Sequence, residues 1–141
     1  MLESHEISSE NLKNPSFADL DARLYPQKRK KVMIIDDDQD FRLAISEVLV
    51  DEGYSVTTAK DGETGLNSLL HQPDLPDLIL VDLIMPVKNG IEFRREQLQL
   101  DEINKIPVMF LTGHGYIKGE TCFLKPFDVQ DLIQAVHQKV G

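Results

Sequence analysis

From Lys31 onward the chain alternates short apolar runs with amphipathic stretches. Val32-Met33-Ile34-Ile35, Leu78-Ile79-Leu80-Val81 and Val108-Met109-Phe110-Leu111 are continuous apolar runs, the pattern of strands buried on both faces. Tyr54–Ala59, rich in Tyr, Val and Thr, reads as a further strand, and Phe123-Leu124 as a short last one. Between them lie helical stripes. Phe41, Ala44, Ile45, Val48 and Leu49 share one face, closed by Gly53. Leu66, Leu69 and Leu70 follow an Asp61-Gly62 turn and stop at Pro73. Residues 91–105, after Pro86 and Asn89-Gly90, have a less clean helical period. Val129, Leu132, Ile133 and Val136 mark a last helix with Asp128 as its N-cap. Strands alternating with helices predict an α/β fold, a parallel sheet with helices on both faces.

The first 31 residues are different in kind. They are mostly polar, with five acids against six bases, whereas the remainder holds 19 acids and nine bases. Phe17, Leu20, Leu24 and Tyr25 fall on one helical face between Pro15 and Pro26. The expected organisation is therefore an extension over residues 1–30, with a short helix at 16–25, and one domain over 31–141, an ordinary size for a single core.

Charge narrows the partners. With 24 acidic and 15 basic residues the net charge is −9, and the one basic run is Lys28-Arg29-Lys30-Lys31. Phosphate backbones need clustered cations, so no nucleic-acid partner is expected. Cys122 is the only cysteine, which excludes an intrachain disulfide and a cysteine-rich zinc site and suits a reducing compartment. No apolar run is long enough to span a bilayer, and the N-terminus Met1-Leu2-Glu3-Ser4-His5-Glu6 lacks the features of a secretory signal. The expected setting is cytoplasmic, with no membrane contact.

In folds of this class ligands sit beyond the carboxyl ends of the strands. The first run is followed by Asp36-Asp37-Asp38, the Leu78–Val81 run by Asp82, the Val108–Leu111 run by Thr112, and Phe123-Leu124 by Lys125-Pro126. Each has a plain alternative: Asp38 or Asp40 as a helix cap, Lys125 as a solvated loop residue, Thr112 as strand chemistry. Together they offer carboxylates, a hydroxyl and an ammonium to one site. Crowded carboxylates repel unless a cation neutralises them, and oxygen ligands select a hard ion such as Mg²⁺. A carboxylate beside such an ion, a lysine and a hydroxyl is a nucleophile suited to a phosphoryl group.

Five separate pieces, Ile34-Ile35-Asp36-Asp37-Asp38, Ala59-Lys60-Asp61-Gly62, Val81-Asp82-Leu83-Ile84-Met85-Pro86 with Asn89-Gly90, Leu111-Thr112-Gly113 and Phe123-Leu124-Lys125-Pro126-Phe127, occur in an order that resembles the receiver domain of two-component response regulators. The resemblance covers about residues 30–140. It implies a doubly wound, five-stranded, flavodoxin-like parallel sheet of order 2-1-3-4-5. It implies that Asp82 accepts a phosphoryl group from a sensor histidine kinase or phosphotransfer protein. Asp36 and Asp37 would match the Mg²⁺-binding acids, the Ile84 carbonyl a further ligand, and Thr112 and Lys125 the groups on the phosphoryl oxygens. The Lys125-Pro126 bond would be cis. Such a chain is not a turnover enzyme; it catalyses only its own phosphorylation and dephosphorylation. Ile84 and His114, two past Asp82 and Thr112, would tune the loss of the phosphoryl group.

Rival motifs fit less well. Asp36, Asp38, Asp40 and Glu47 occupy calcium-loop positions, but the sixth, which needs Gly, is Phe41. Asp36-x-Asp38 suggests a haloacid-dehalogenase-type phosphatase with Asp36 as nucleophile, yet Asp40 stands where that family expects Thr or Val. Gly113-x-Gly115 with Gly119 lacks the Lys-Ser/Thr of a P-loop. His5, His71, His114 and His137 have no metal-ligand spacing, and His71 and His137 read as solvated helix residues.

The chain also departs from the pattern. Only twelve residues separate Thr112 from Lys125, part of them must be strand, and three of the rest are glycine. That is too short for a full crossover helix, so the fourth helix is expected to be missing or one turn long. The position three before the lysine, where the family carries a switch aromatic, is Cys122. A missing helix would bare part of one sheet face, and the Phe17–Tyr25 helix or a second subunit, making a homodimer, is expected to cover it. With the chain ending at Gly141, the expected function is a stand-alone receiver that signals by phosphorylation-dependent protein contacts, its downstream target not legible. The alternative is a pseudo-receiver acting as a constitutive interaction module.

Overall fold

A computed structural model describes residues 29–113 and 115–140. The three apolar runs become β1 (Lys31–Ile35), β3 (Leu78–Asp82) and β4 (Val108–Thr112), and the two weaker signals become β2 (Ser55–Ala59) and β5 (Thr121–Leu124). All pair in parallel, in the order β2-β1-β3-β4-β5. The hydrophobicity pattern follows from position: β1, β3 and β4 are interior strands with almost every side chain buried, whereas the edge strands β2 and β5 are only partly so.

The helices are α1 (Gln39–Asp51), α2 (Gly62–His71), α3 (Gly90–Leu98) and α4 (Val129–Val140). Two cores lie on opposite faces of the sheet. Met33, Ile35, Ile79, Val81 and Phe110 face Leu66 and Leu69 of α2 and Phe93 of α3. Val32, Ile34, Leu80 and Leu111 face Ile45 and Leu49 of α1 and Leu132 and Val136 of α4. Caps fix the helix starts. Asp38 accepts from the Phe41 N–H, Asp61 from Thr64, and Asn89 and Glu92 form a reciprocal capping box. The Gln130 N–H donates to Asp128 at 2.8 Å, as expected of the cap of α4.

Three expectations need correction. Helix α3 ends at Leu98, not near 105; Gln97 is fully buried and donates its amide to the carbonyls of Ile103 (2.9 Å) and Ile106 (3.0 Å), which holds the following segment as a turn. Tyr54 precedes β2, because its N–H closes α1 on the Leu49 carbonyl after Gly53 turns the chain at φ +100°. Leu70 points outward, so the α2 stripe is Gly65, Leu66 and Leu69.

No helix joins β4 to β5 among the described residues of that connection, as the spacing requires. Ile117 and Cys122 pack against the core beneath it, so the connection covers part of the sheet face itself. The helix expected at 16–25 and its docking lie outside the described residues. Among those described, no helix is long and apolar enough to cross a membrane.

Candidate functional site

The parallel register brings the strand ends level. Ile35 pairs with Val81, so Asp36 follows β1 beside Asp82 at the end of β3. Thr112 pairs with Leu124, so Lys125 leaves β5 next to the end of β4. Carboxylate oxygens of Asp36, Asp37 and Asp82 lie within 4.8 Å of one another. The Lys125 ammonium sits 2.9 Å from Asp36 Oδ2 and 3.8 Å from Asp82 Oδ1.

Each group is held by local structure. Asp36 is buried, with the Asp38 N–H donating to its Oδ1 at 2.9 Å. Its main chain is held from two sides, by the Ala59 carbonyl at 3.1 Å and by the Arg42 guanidinium, which donates to its carbonyl at 2.6 Å. Asp37 is exposed. The Lys125 N–H donates to the Thr112 carbonyl at 2.7 Å, and the Lys125-Pro126 bond is cis. Thr112 is wholly buried at the end of β4. Ile84 lies in the loop after β3. That loop is fastened to two helices: the Gly90 N–H donates to the Leu83 carbonyl, the Gly62 N–H to the Lys88 carbonyl, and Lys88 pairs with Glu96 and Glu63.

Electrostatics mark Asp82. Partial burial and the neighbouring Asp36 and Asp37 carboxylates push its pKa up from 3.8 to about 6, against the opposing pull of Lys125 and the Leu83 N–H. Three oxygen-donor carboxylates, two largely or wholly buried and short of positive charge, suit a hard divalent cation. Among the described residues no other cluster of this kind occurs. The calcium-loop pattern does not form, since Asp40 and Glu47 lie on α1.

The comparisons with known proteins fall on this same region. The family model for the response regulator receiver domain matches residues 32–137. The chain belongs to that family. The receiver is 34% identical over 120 residues to "Probable transcriptional regulator ycf29" of Pyropia yezoensis, covering 79% of this chain and 53% of the relative. It is 31% identical over 116 residues to "Sporulation initiation phosphotransferase F" of Bacillus subtilis, covering 76% and 90%. Its fold matches that of the chemotaxis response regulator CheY4 of Vibrio cholerae with a TM-score of 0.72 at 27% identity, covering 79% of this chain and 99% of that one. The receiver thus spans about half the length of the transcriptional regulator it matches.

The sequence reading missed two neighbours of the site. Phe41, read only as core, puts its ring 4.2 Å from the Lys125 ammonium. Arg42, which grips the Asp36 carbonyl, carries no signal of its own in the sequence. Both occupy the first turn of α1, four and five residues past Asp37, and a helix starting at a strand end aims that turn toward the strand ends. His114 lies outside the described residues. His137 is exposed on α4, as expected of a solvated helix residue, and in addition meets the buried Tyr54, Nδ1 to hydroxyl at 2.5 Å, while Nε2 is 3.4 Å from Glu52.

Proposed function

We propose that this receiver is a phosphoacceptor module in which Asp82 takes a phosphoryl group from a phosphohistidine of a sensor histidine kinase or phosphotransfer protein. An Asp82 carboxylate oxygen attacks phosphorus, the phosphorus–nitrogen bond breaks, and the imidazole leaves with its electron pair and picks up a proton. Asp36, Asp37, Asp82 and the Ile84 carbonyl would hold Mg²⁺, which supplies positive charge against the phosphoryl oxygens. Lys125 moves its ammonium from Asp36 to a phosphoryl oxygen, and the Thr112 hydroxyl donates to another. The reading rests above all on Asp36, Asp82 and Lys125 converging from three strands at 2.9 and 3.8 Å. The likeness to a sporulation phosphotransferase over 90% of that protein supports a relay role. Output is by protein contacts that change with phosphorylation, in the cytoplasm, without turnover of a separate substrate.

The test is intact mass after adding acetyl phosphate, with and without Mg²⁺, beside Asp82→Asn. One phosphoryl adduct that requires both Mg²⁺ and Asp82 is expected. A native chain that gains none, while folded and able to bind Mg²⁺, overturns the reading. That result would favour the pseudo-receiver, for which the absence of a helix among the described residues of the β4–β5 connection and Cys122 at the switch position speak.

A further inference from the structure

Lys125 has to serve two partners in turn: Asp36 at 2.9 Å before phosphorylation, and a phosphoryl oxygen on Asp82 afterward. A side chain held only by the first ion pair would be drawn away from the second. The structure shows a third contact. The Phe41 ring lies under the ammonium at 4.2 Å, within the range where a ring quadrupole attracts a cation. Such an attraction acts over the ring face and needs no hydrogen-bond partner, so it can hold the ammonium while one oxygen is exchanged for another.

The ring itself is fixed. Phe41 meets Phe127 edge-on, centroids 6.1 Å apart at 78°, and Phe127 meets Phe123 at 5.2 Å and 79°. Phe127 lies two residues past Lys125, so the segment that carries the lysine also carries the ring that meets Phe41, itself backed by Phe123. Phe41 comes from α1, whose start is set by the Asp38 cap and whose Arg42 grips the Asp36 carbonyl. One turn of α1 therefore orients both the acid and the ring between which the ammonium sits.

We propose that Phe41 is a positioning residue for Lys125, its aromatic face guiding the ammonium from Asp36 to the phosphoryl group on Asp82; this rests on the phosphoacceptor reading above. The test compares acetyl phosphate uptake in native protein, Phe41→Leu and Phe41→Tyr, each also made in a Lys125→Met background, with Tm recorded for all. The expected result is uptake slowed about fivefold in Phe41→Leu, the weight of one partly shielded cation–π contact, near-native in Phe41→Tyr, and unaffected by Phe41→Leu once Lys125 is gone. Equal slowing by Leu and Tyr, or the same slowing by Leu without Lys125, overturns the proposal. If native protein takes up no phosphoryl group, the phosphoacceptor reading fails separately. The ring contact is then decided by the Lys125 Hε resonances. Upfield shifts in native protein and Phe41→Tyr but not in Phe41→Leu support the contact, and ordinary shifts in the native chain overturn it.

Discussion

Glycines show how differently two ends of the same sheet face are built. Around the acceptor, glycine allows backbone to touch backbone: a Cβ on Gly90 would stand 2.4 Å from the Asp82 carbonyl oxygen, and one on Gly62 2.7 Å from that of Lys88. In the β4–β5 connection glycine makes no such close approach. A Cβ on Gly113, Gly115 or Gly119 meets nothing within 4 Å, and two of these three have positive φ. The acceptor end is close-packed and follows the family motifs. The described residues of the connection form no helix, as the spacing requires, and its glycines stand in open space. The packed end is where a fixed geometry is needed for chemistry, and the open end is where the chain departs from the family pattern.

That contrast can be broken or sharpened by substitution. The largest effect is expected from Gly90→Ala. The clash is with backbone, so about 3 kcal/mol of stability should be lost, together with phosphoryl uptake, measurable by denaturant melts and intact mass. Arg94→Ala comes next. Arg94 reaches from α3 to Glu120 in the connection at 3.1 Å and to Gln97 at 2.7 Å, with both ion-pair side chains mostly buried. Losing it should cost about 1.5 kcal/mol and, in hydrogen exchange, open the connection before the strands.

Asp82→Asn should instead stabilise the metal-free protein, raising Tm by a few degrees, because it removes one of three mutually repelling carboxylates. The sign follows from the raised pKa: the folded state holds the Asp82 proton more tightly than the unfolded chain, so this group's penalty grows as pH rises from 3.8 to about 6. The gain of Asp82→Asn over native, measured in EDTA, should therefore be full above pH 6 and vanish below pH 4. A smaller gain, about 0.5 kcal/mol, is expected of Val87→Gly, which relieves a β-branched residue at φ +68° in the loop after the acceptor. Gly113→Ala should be smallest, within about 0.5 kcal/mol of native by the same melts, since the added methyl meets open space.

Most of the frame was legible because it depends on local pattern. Apolar runs gave β1, β3 and β4, the acids and lysine after the runs gave the site's members, and counting the residues between Thr112 and Lys125 excluded a full crossover helix. What could not be read depends on tertiary partners. The end of α3 is set by Gln97, a polar residue buried against carbonyls that follow it, which periodicity counts as solvent-facing. The Arg94–Glu120 pair and the Phe41–Lys125 contact join elements far apart in sequence, and each member alone has an ordinary solvent or core reading. The Tyr54–His137 contact went unread for the same reason.

Which carboxylate carries the chemistry can be asked directly. Protein incubated with acetyl phosphate and Mg²⁺ is reduced with borohydride, which converts an acyl-phosphorylated aspartate to homoserine, and the site is located by peptide mapping. Homoserine at position 82 alone is the expected result. Label at Asp36 would instead indicate the phosphatase-type nucleophile, and no label in folded, Mg²⁺-binding protein would contradict phosphoacceptor function altogether.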